Sequence, residues 1–531
     1  MKFILVLQEC LAAMILIHSS MGGRSHIKAM LEVGQTLGER GHSVQYVALD
    51  DNLRFAKGHS NIQRVGLGHK GHFVDTQMQL LDSACAGKLG NECRMGVFNI
   101  SLEWFCMSYR SEYLPLLEHV KQEKPDVMVC DKFAFACQEI AEVNSIPLVI
   151  GIQALDFASH YNSPFLANDI WFGPITIESM SFPWKLYDSL VIPFVVKMCW
   201  RKIYKILTKE RQLAGSSAQQ HPLKAFDYAT VIVNSFFGFE VAQPIPPNIR
   251  LIGPILSTKA PPLEPMLHTF LSKHSHVMLV GFGSLISLET REINAILRGA
   301  LQAMEEGNID GLIWGLGRTQ ISKFPNTTEL SHDFFADERF KFLPWAPQQT
   351  ILNHPNTTVF LSHAGLESSF EAIHSRTPIL TIPFFSDQGR NAAKLQEMGV
   401  GLYIDPYNID VAAALKTLLS CPNLAASLNK SKALTNSYIK RRQEAANHIE
   451  DHLELAQACR PRHPHIFGSS QPPCEISHLL CASNRMSLFT ANWLDVYLFL
   501  FVAGVTALAT AVYIARHKLC ATKPTAHQKQ Q

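Results

Sequence analysis

Met14 to Ser19 (MILIHS) is a short, mostly apolar run that Gly22-Gly23 breaks. From Ile27 to Arg40 apolar residues return at helical spacing until Gly41 stops them. Val44 to Leu49 is a second strand-like run, and the unit strand, glycine turn, helix, strand opens a parallel doubly wound sheet. Val127 to Cys130 and Pro147 to Ile152 read as later strands of the same half, with a helix around Cys137 to Val143 between them. The Pro-rich segment Lys259 to Met266 has no periodicity and marks a linker. Beyond it Val277 to Phe282, Gly311 to Trp314, Phe340 to Leu343, Thr358 to Leu361 and Ile379 to Ile382 repeat the alternation of strand and helix. The fold class is α/β, with two Rossmann-like doubly wound parallel sheets facing a cleft. Each half offers its strand-to-helix loops to that cleft, where open α/β sheets bind ligands.

Asn423 to Glu454 has helical composition, and Arg460 to Arg485, rich in Pro, Ser and His, reads as a stalk. Val496 to Ala515 carries no charge, and at 1.5 Å per residue it is long enough to cross the hydrocarbon layer of about 30 Å. Arg516, Lys518, Lys523 and Lys529 follow with no acidic residue, so the positive-inside rule places the tail in the cytosol and the rest in a lumen, with the endoplasmic reticulum the expected membrane. That topology needs an export signal. Phe3 to Leu7 begins like one before Gln8-Glu9 interrupts it. The expected layout is residues 1–13 as a candidate signal, 14–258 as the first half, 259–270 as linker, 271–459 as the second half, 460–493 as stalk, 494–515 as the membrane helix and 516–531 as tail. The aromatic-rich stretch from Ser163 to Leu207 is open to two readings: helices packed on the first sheet, or an apolar pocket or membrane-leaning flap.

Composition narrows the function. With 47% hydrophobic and 17% charged residues the chain is too apolar for a disordered protein, and a net charge of +2 offers no basic excess for nucleic acid. None of the twelve cysteines stands at zinc spacing. Cys85/Cys93 and Cys474/Cys481 are close enough in sequence for small disulfide loops, and free thiols are the equal alternative. No D-x-D, G-x-S-x-G or P-loop occurs, and the G-x-G-x-x-G at Gly66, Gly68 and Gly71 opens no helical pattern.

The most specific signal is LPWAPQQTILNHP (Leu343 to Pro355), then FLSHAGLESSFEAI (Phe360 to Ile373), then TPILTIPFFSDQGRNA (Thr377 to Ala392). Over this stretch, and along nearly all of the chain before the stalk, the sequence resembles the UDP-glycosyltransferase family. The resemblance implies the two-domain GT-B arrangement, a UDP-sugar as co-substrate and no resident cofactor or metal; the aromatic stretch and the membrane anchor suit a small hydrophobic or lipid acceptor. His363 ends a strand and Gly365 opens a helix, so that helix N-terminus, with Ser368, suits a diphosphate. Glu371 can accept two ribose hydroxyls, the Trp345 face can stack on uracil with Gln348 at the nucleoside edge, and Asp387 and Gln388 can hold the sugar. Ser284, in the Gly283-Ser284 turn, also faces the donor.

The family's general base at the first strand-to-helix turn corresponds to His26, and its orienting aspartate to Asp131 after Val127 to Cys130. The expected reaction is transfer of glucose or glucuronate to an acceptor hydroxyl with inversion. Two residues depart from the family pattern: Glu367 stands where Asn is common, and Arg376 where glycine is usual. Glu367 keeps a second reading alive, a non-catalytic nucleotide-sugar or lipid-binding protein on a membrane anchor. A tethered hydrolase is the third.

Overall fold

The computed structural model describes residues 12–20, 23–68, 91–155, 163–168, 175–216, 218, 221, 223–257, 260–283, 286, 288–317, 332–384, 386–459, 474–479 and 486–521. Residues 12–478 belong to one compact unit. Its first half is a seven-stranded sheet made of β1 (Met14–His18), β2 (Ser43–Ala48), β3 (Gln63–Gly66), β4 (Val127–Asp131), β5 (Leu148–Ile152), β6 (Thr230–Val233) and β7 (Ile249–Leu251). Every pairing is parallel, in the order β3-β2-β1-β4-β5-β6-β7. The second half holds β8 (Val277–Gly281), β9 (Gly311–Gly315), β10 (Phe340–Leu343), β11 (Thr357–Ser362), β12 (Ile379–Thr381) and β13 (Gly401–Tyr403), also parallel, in the order β10-β9-β8-β11-β12-β13. In both sheets the order reverses beside the first strand, which puts a topological switch point between β1 and β4 and another between β8 and β11.

The central strands are covered on both faces, so β1, β4, β5, β6 and β8 are nearly continuous buried runs, whereas the edge strand β3 is largely exposed. In β1, Leu16 packs into one layer of the first half while Ile15 and Ile17 face the other, and all three are buried. The second half has one continuous core that runs through Leu279, Ile313, Phe360 and Leu380. The helix Pro265–Lys273 contributes Leu267 and Leu271 to that core, so the second half begins inside the stretch read as linker. Proline at its start fits a helix entry, where the missing N–H has no partner to lose.

Asn423 to Glu454 forms two helices, Leu424–Thr435 and Tyr438–Ala458. The second crosses back to the first half. Its Ala445, Ala446, Ile449 and Leu453 enter the layer of Ile15 and Ile17, and Glu450 accepts from Arg40 at 2.5 Å and lies 3.1 Å from His42. Cys459, just past this helix, is bonded to Cys474 at the head of a short turn packed on the same helix. Cys474 therefore pairs with Cys459 and not with Cys481. A second disulfide joins Cys130 at the end of β4 to Cys137. Cys85 and Cys481, and the side chain of Cys93, lie outside the described residues.

In the aromatic stretch the helix Phe182–Leu213 divides in two. Ile203, Leu207 and Arg211 are buried, and the helix packs on Asn91–Glu123. Phe182, Trp184, Leu190 and Phe194 are each more than 60% exposed.

The remaining unit contains the helix Leu494–Ala521. Among the described residues, Leu494–Lys518 is the one unbroken helix long and apolar enough to cross a membrane, and it contains the whole of the expected span.

Candidate active site

After β1 the chain turns through Gly23, whose carbonyl accepts the His26 N–H at 3.2 Å as the helix Arg24–Glu39 begins. His26 is thus fixed in the first turn of a helix at the carboxyl end of β1. β4 is the neighbour of β1, with His18 opposite Cys130, so the next residue of β4, Asp131, ends beside the same turn. Asp131 Oδ1 accepts from the Phe133 N–H at 3.0 Å, and Oδ2 lies 3.6 Å from His26 Nδ1. The Asp131 side chain is fully buried and the His26 ring is 20% exposed. Neither Nδ1 nor Oδ2 has a hydrogen bond elsewhere. A separation of 3.6 Å is an ion-pair distance, slightly longer than a hydrogen bond. The carboxylate nonetheless favours a proton on Nδ1, which leaves Nε2 as the acceptor nitrogen.

In the second half β11 ends at Ser362, and His363, Ala364 and Gly365 lead into the helix Leu366–Ser375 with Gly365 at its N-cap. The N–H groups of the first turn point out of the helix end, with the positive end of its dipole. The His363 ring lies against the α-carbons of Gly283 and Gly365. Burial drives its pKa down to about 4 against an opposing hydrogen bond with the Gly281 backbone, so the ring is neutral at physiological pH and can give one N–H without carrying charge. Gln348 Nε2 donates to Ser368 Oγ at 3.0 Å and to Glu371 Oε2 at 2.9 Å. As an acceptor in that bond, Ser368 keeps its own O–H to donate. Gln348, expected at the nucleoside edge, is thus tied through its amide nitrogen to Ser368 and Glu371. Trp345, in the loop after β10, is 68% exposed, so its indole is not core packing and presents a free face.

Asp387 occupies the N-cap position of the helix Gln388–Glu397 and accepts from Asn391 Nδ2 at 2.7 Å; the same amide donates to the Ala364 carbonyl at 3.0 Å, tying the loop after β12 to the loop after β11. Burial pushes the Asp387 carboxyl up, while Asn391 and, from the first half, His26 pull it down. The Gln388 side chain turns back, with Oε1 accepting from the Phe384 N–H at 2.9 Å. Ala364 and Ser386 both take positive φ, 62° and 60°, so each of the two loops holds a non-glycine residue in the left-handed region. Ser284 lies outside the described residues.

The two halves meet across this site. Arg390 donates to the carbonyls of Ala167 and Ile175, Lys394 pairs with Glu240, and Lys28, two residues after His26, reaches Glu371 at 3.0 Å. Sequence reasoning passed over Lys28 and Asn391. Asn391 stands inside the quoted TPILTIPFFSDQGRNA segment, and the signal for Lys28 was Glu367 and Glu371, two carboxylates one helical turn apart that need a cation once buried.

The family model described as "UDP-glucoronosyl and UDP-glucosyl transferase" matches residues 17–430. The chain is 33% identical over 462 residues to UDP-glycosyltransferase 1 of Phaeomoniella chlamydospora, covering 80% of this chain and 89% of that protein. Among solved structures it is similar to the glycotransferase of kitacinnamycin, with a TM-score of 0.57 at 17% identity over 83% of this chain and 98% of that one. It is also similar to Phytolacca americana UGT2 complexed with UDP-2fluoro-glucose and pterostilbene, with a TM-score of 0.53 at 16% identity over 82% of this chain and 99% of that one. These likenesses assign the GT-B fold. On the match over residues 17–430, this chain belongs to the UDP-glucuronosyl and UDP-glucosyl transferase family, whose chemistry is sugar transfer from a UDP-sugar.

Proposed function

We propose that the chain transfers glucose or glucuronate from its UDP-sugar to a hydroxyl of a small hydrophobic acceptor, with inversion at the anomeric carbon. The observation that carries this is the His26–Asp131 pair at the ends of β1 and β4, on the helix whose Lys28 touches the donor-side helix of the other half. His26 Nε2 takes the acceptor proton as the oxygen attacks the anomeric carbon. The bond from that carbon to the diphosphate breaks, and its electron pair leaves with UDP. Asp131 holds the imidazolium that results. The helix N-terminus, His363 and Ser368 offer N–H and O–H groups to the charge growing on the leaving diphosphate, and that assistance needs no metal ion.

In this reading Asp387 receives sugar hydroxyls and Trp345, whose indole is exposed, stacks on the uracil. The exposed face formed by Phe182, Trp184, Leu190 and Phe194 suits an acceptor that partitions into lipid. Arg516, Lys518, Lys523 and Lys529 support a cytosolic tail, and with it lumenal catalytic halves at the endoplasmic reticulum membrane.

The test is UDP release from UDP-glucose and UDP-glucuronate over a panel of hydrophobic alcohols, with the full chain in detergent. Wild-type turnover persists in EDTA, and His26→Ala loses roughly a hundredfold or more. Undiminished turnover in His26→Ala contradicts the proposed base, and a strict need for added metal contradicts the unassisted departure of UDP. Glu367 favours a binding-only reading, in which UDP binds and no acceptor is ever modified.

A further inference from the structure

Lys28 leaves the first half on the helix that carries His26 and ends between two carboxylates of the second. Its ammonium lies 3.0 Å from Glu371 Oε1 and 3.6 Å from Glu367 Oε2, and the three side chains are 8%, 9% and 19% exposed. The other Glu371 oxygen is held by Gln348. The second Glu367 oxygen, Oε1, is buried without a hydrogen bond. Arg24 also acts on Glu367, but from an exposed position where solvent screens it. Burial opposes the charge on both partners: Glu367 and Glu371 outweigh it for Lys28 and hold its pKa above the ordinary lysine value, while burial raises the Glu367 carboxyl and Lys28 is the largest influence pulling it back down. Glu367 stands in the first turn of the helix Leu366–Ser375, beside Ser368 and the N–H groups suited to a diphosphate. An uncompensated carboxylate there would repel the ligand that the helix end attracts.

We propose that Lys28 is a donor-site positioning residue supplied by the first half: it neutralises Glu367 beside the diphosphate and holds Glu371 until ribose hydroxyls take that carboxylate. This rests on the second half being the UDP-sugar site. As the ribose takes Glu371 Oε1, the ammonium moves onto Glu367, and the pair stays neutral next to the phosphates. Donor affinity then depends on Lys28 only as long as residue 367 is an acid.

The experiment is calorimetric titration of UDP into the full chain. Lys28→Met weakens UDP by roughly 30-fold or more, because it strands a buried anion at the phosphate site. Lys28→Arg, which keeps the charge, stays near wild type. In the Glu367→Gln background the loss disappears, so that Glu367→Gln and the double variant Lys28→Met/Glu367→Gln bind UDP within about threefold of each other. This last comparison strands no charge at 367 and remains readable if Lys28→Met alone does not fold. Wild-type affinity in Lys28→Met, or a double variant far weaker than Glu367→Gln, overturns the role of Lys28 and leaves the donor site standing. A wild-type chain that binds no UDP removes the donor-site reading itself, and this proposal with it.

Discussion

At Gly365 the backbone of the second half passes close to the His363 ring. A Cβ at that position would lie 2.8 Å from His363 Cε1 and closer still to Nε2, and one at Gly283 would lie 3.0 Å from Nε2. The Gly365 φ of −61° is open to any residue, so glycine is required here for the close approach and not for the backbone angle. Gly365→Ala should therefore push the ring off its seat or move the loop, at an overpacking cost of about 1–3 kcal/mol. With the donor site as proposed, much of that cost falls on the loop between β11 and the helix Leu366–Ser375, so UDP affinity drops more than thermal stability does. A folded Gly365→Ala protein that binds UDP like wild type would show that the ring has room to yield. The same residue-scale reasoning explains why His26 was legible in the sequence and Lys28 was not. The pattern gives only the place of His26, a glycine turn after an apolar run, and it was the family resemblance that singled the residue out. A lysine within an amphipathic helix looks like part of the solvated face until its partners, more than three hundred residues away, are brought to it.

At the scale of elements, the helix Leu366–Ser375 ends on Arg376 with φ 64° and ψ 30°, the left-handed cap that glycine fills without penalty. Arg376 accepts that conformation, gives its backbone N–H to the Ala372 and Ile373 carbonyls, and lays its guanidinium 3.3 Å from Asn429 Oδ1. Its departure from the usual glycine thus leaves the turn intact and stores strain there. Arg376→Gly is expected to raise stability by about 1 kcal/mol in urea unfolding; a fall would mean the exposed contact to Asn429 is worth more than the strain.

Elements also show where pattern reading runs out. The strands with unbroken apolar runs, such as β1, β4, β8 and β11, could be read directly. β3 (QRVG) lies at a sheet edge with little burial, and β13 has three residues, so neither leaves a periodic trace. The two helices after Asn423 read as one because the break at Asn436-Ser437 contains neither glycine nor proline. The exposed half of Phe182–Leu213 could not be told from its buried half, since apolar residues occur along its whole length.

For the whole molecule, the charge asymmetry around the helix Leu494–Ala521 predicts an orientation that can be measured. In sealed microsomes an epitope placed after Gln531 is removed by added protease, while an epitope within the first half is protected until detergent opens the vesicle. The reverse pattern would put the catalytic halves in the cytosol and overturn the lumenal assignment. The two halves themselves are joined by more than their linker. Lys28, Arg390 and Lys394 cross the site, and the helix Tyr438–Ala458 crosses behind it.

That returning helix also constrains the order in which the protein can mature. The groove on the first sheet that takes Ala445, Ala446, Ile449 and Leu453 is laid down by residues that leave the ribosome hundreds of positions earlier. Until translation has passed residue 458, that half has an apolar seam with nothing to close it. A nascent chain released at the midpoint would present the seam to chaperones, and an N-terminal half expressed by itself would be soluble only if the helix were supplied as a separate peptide.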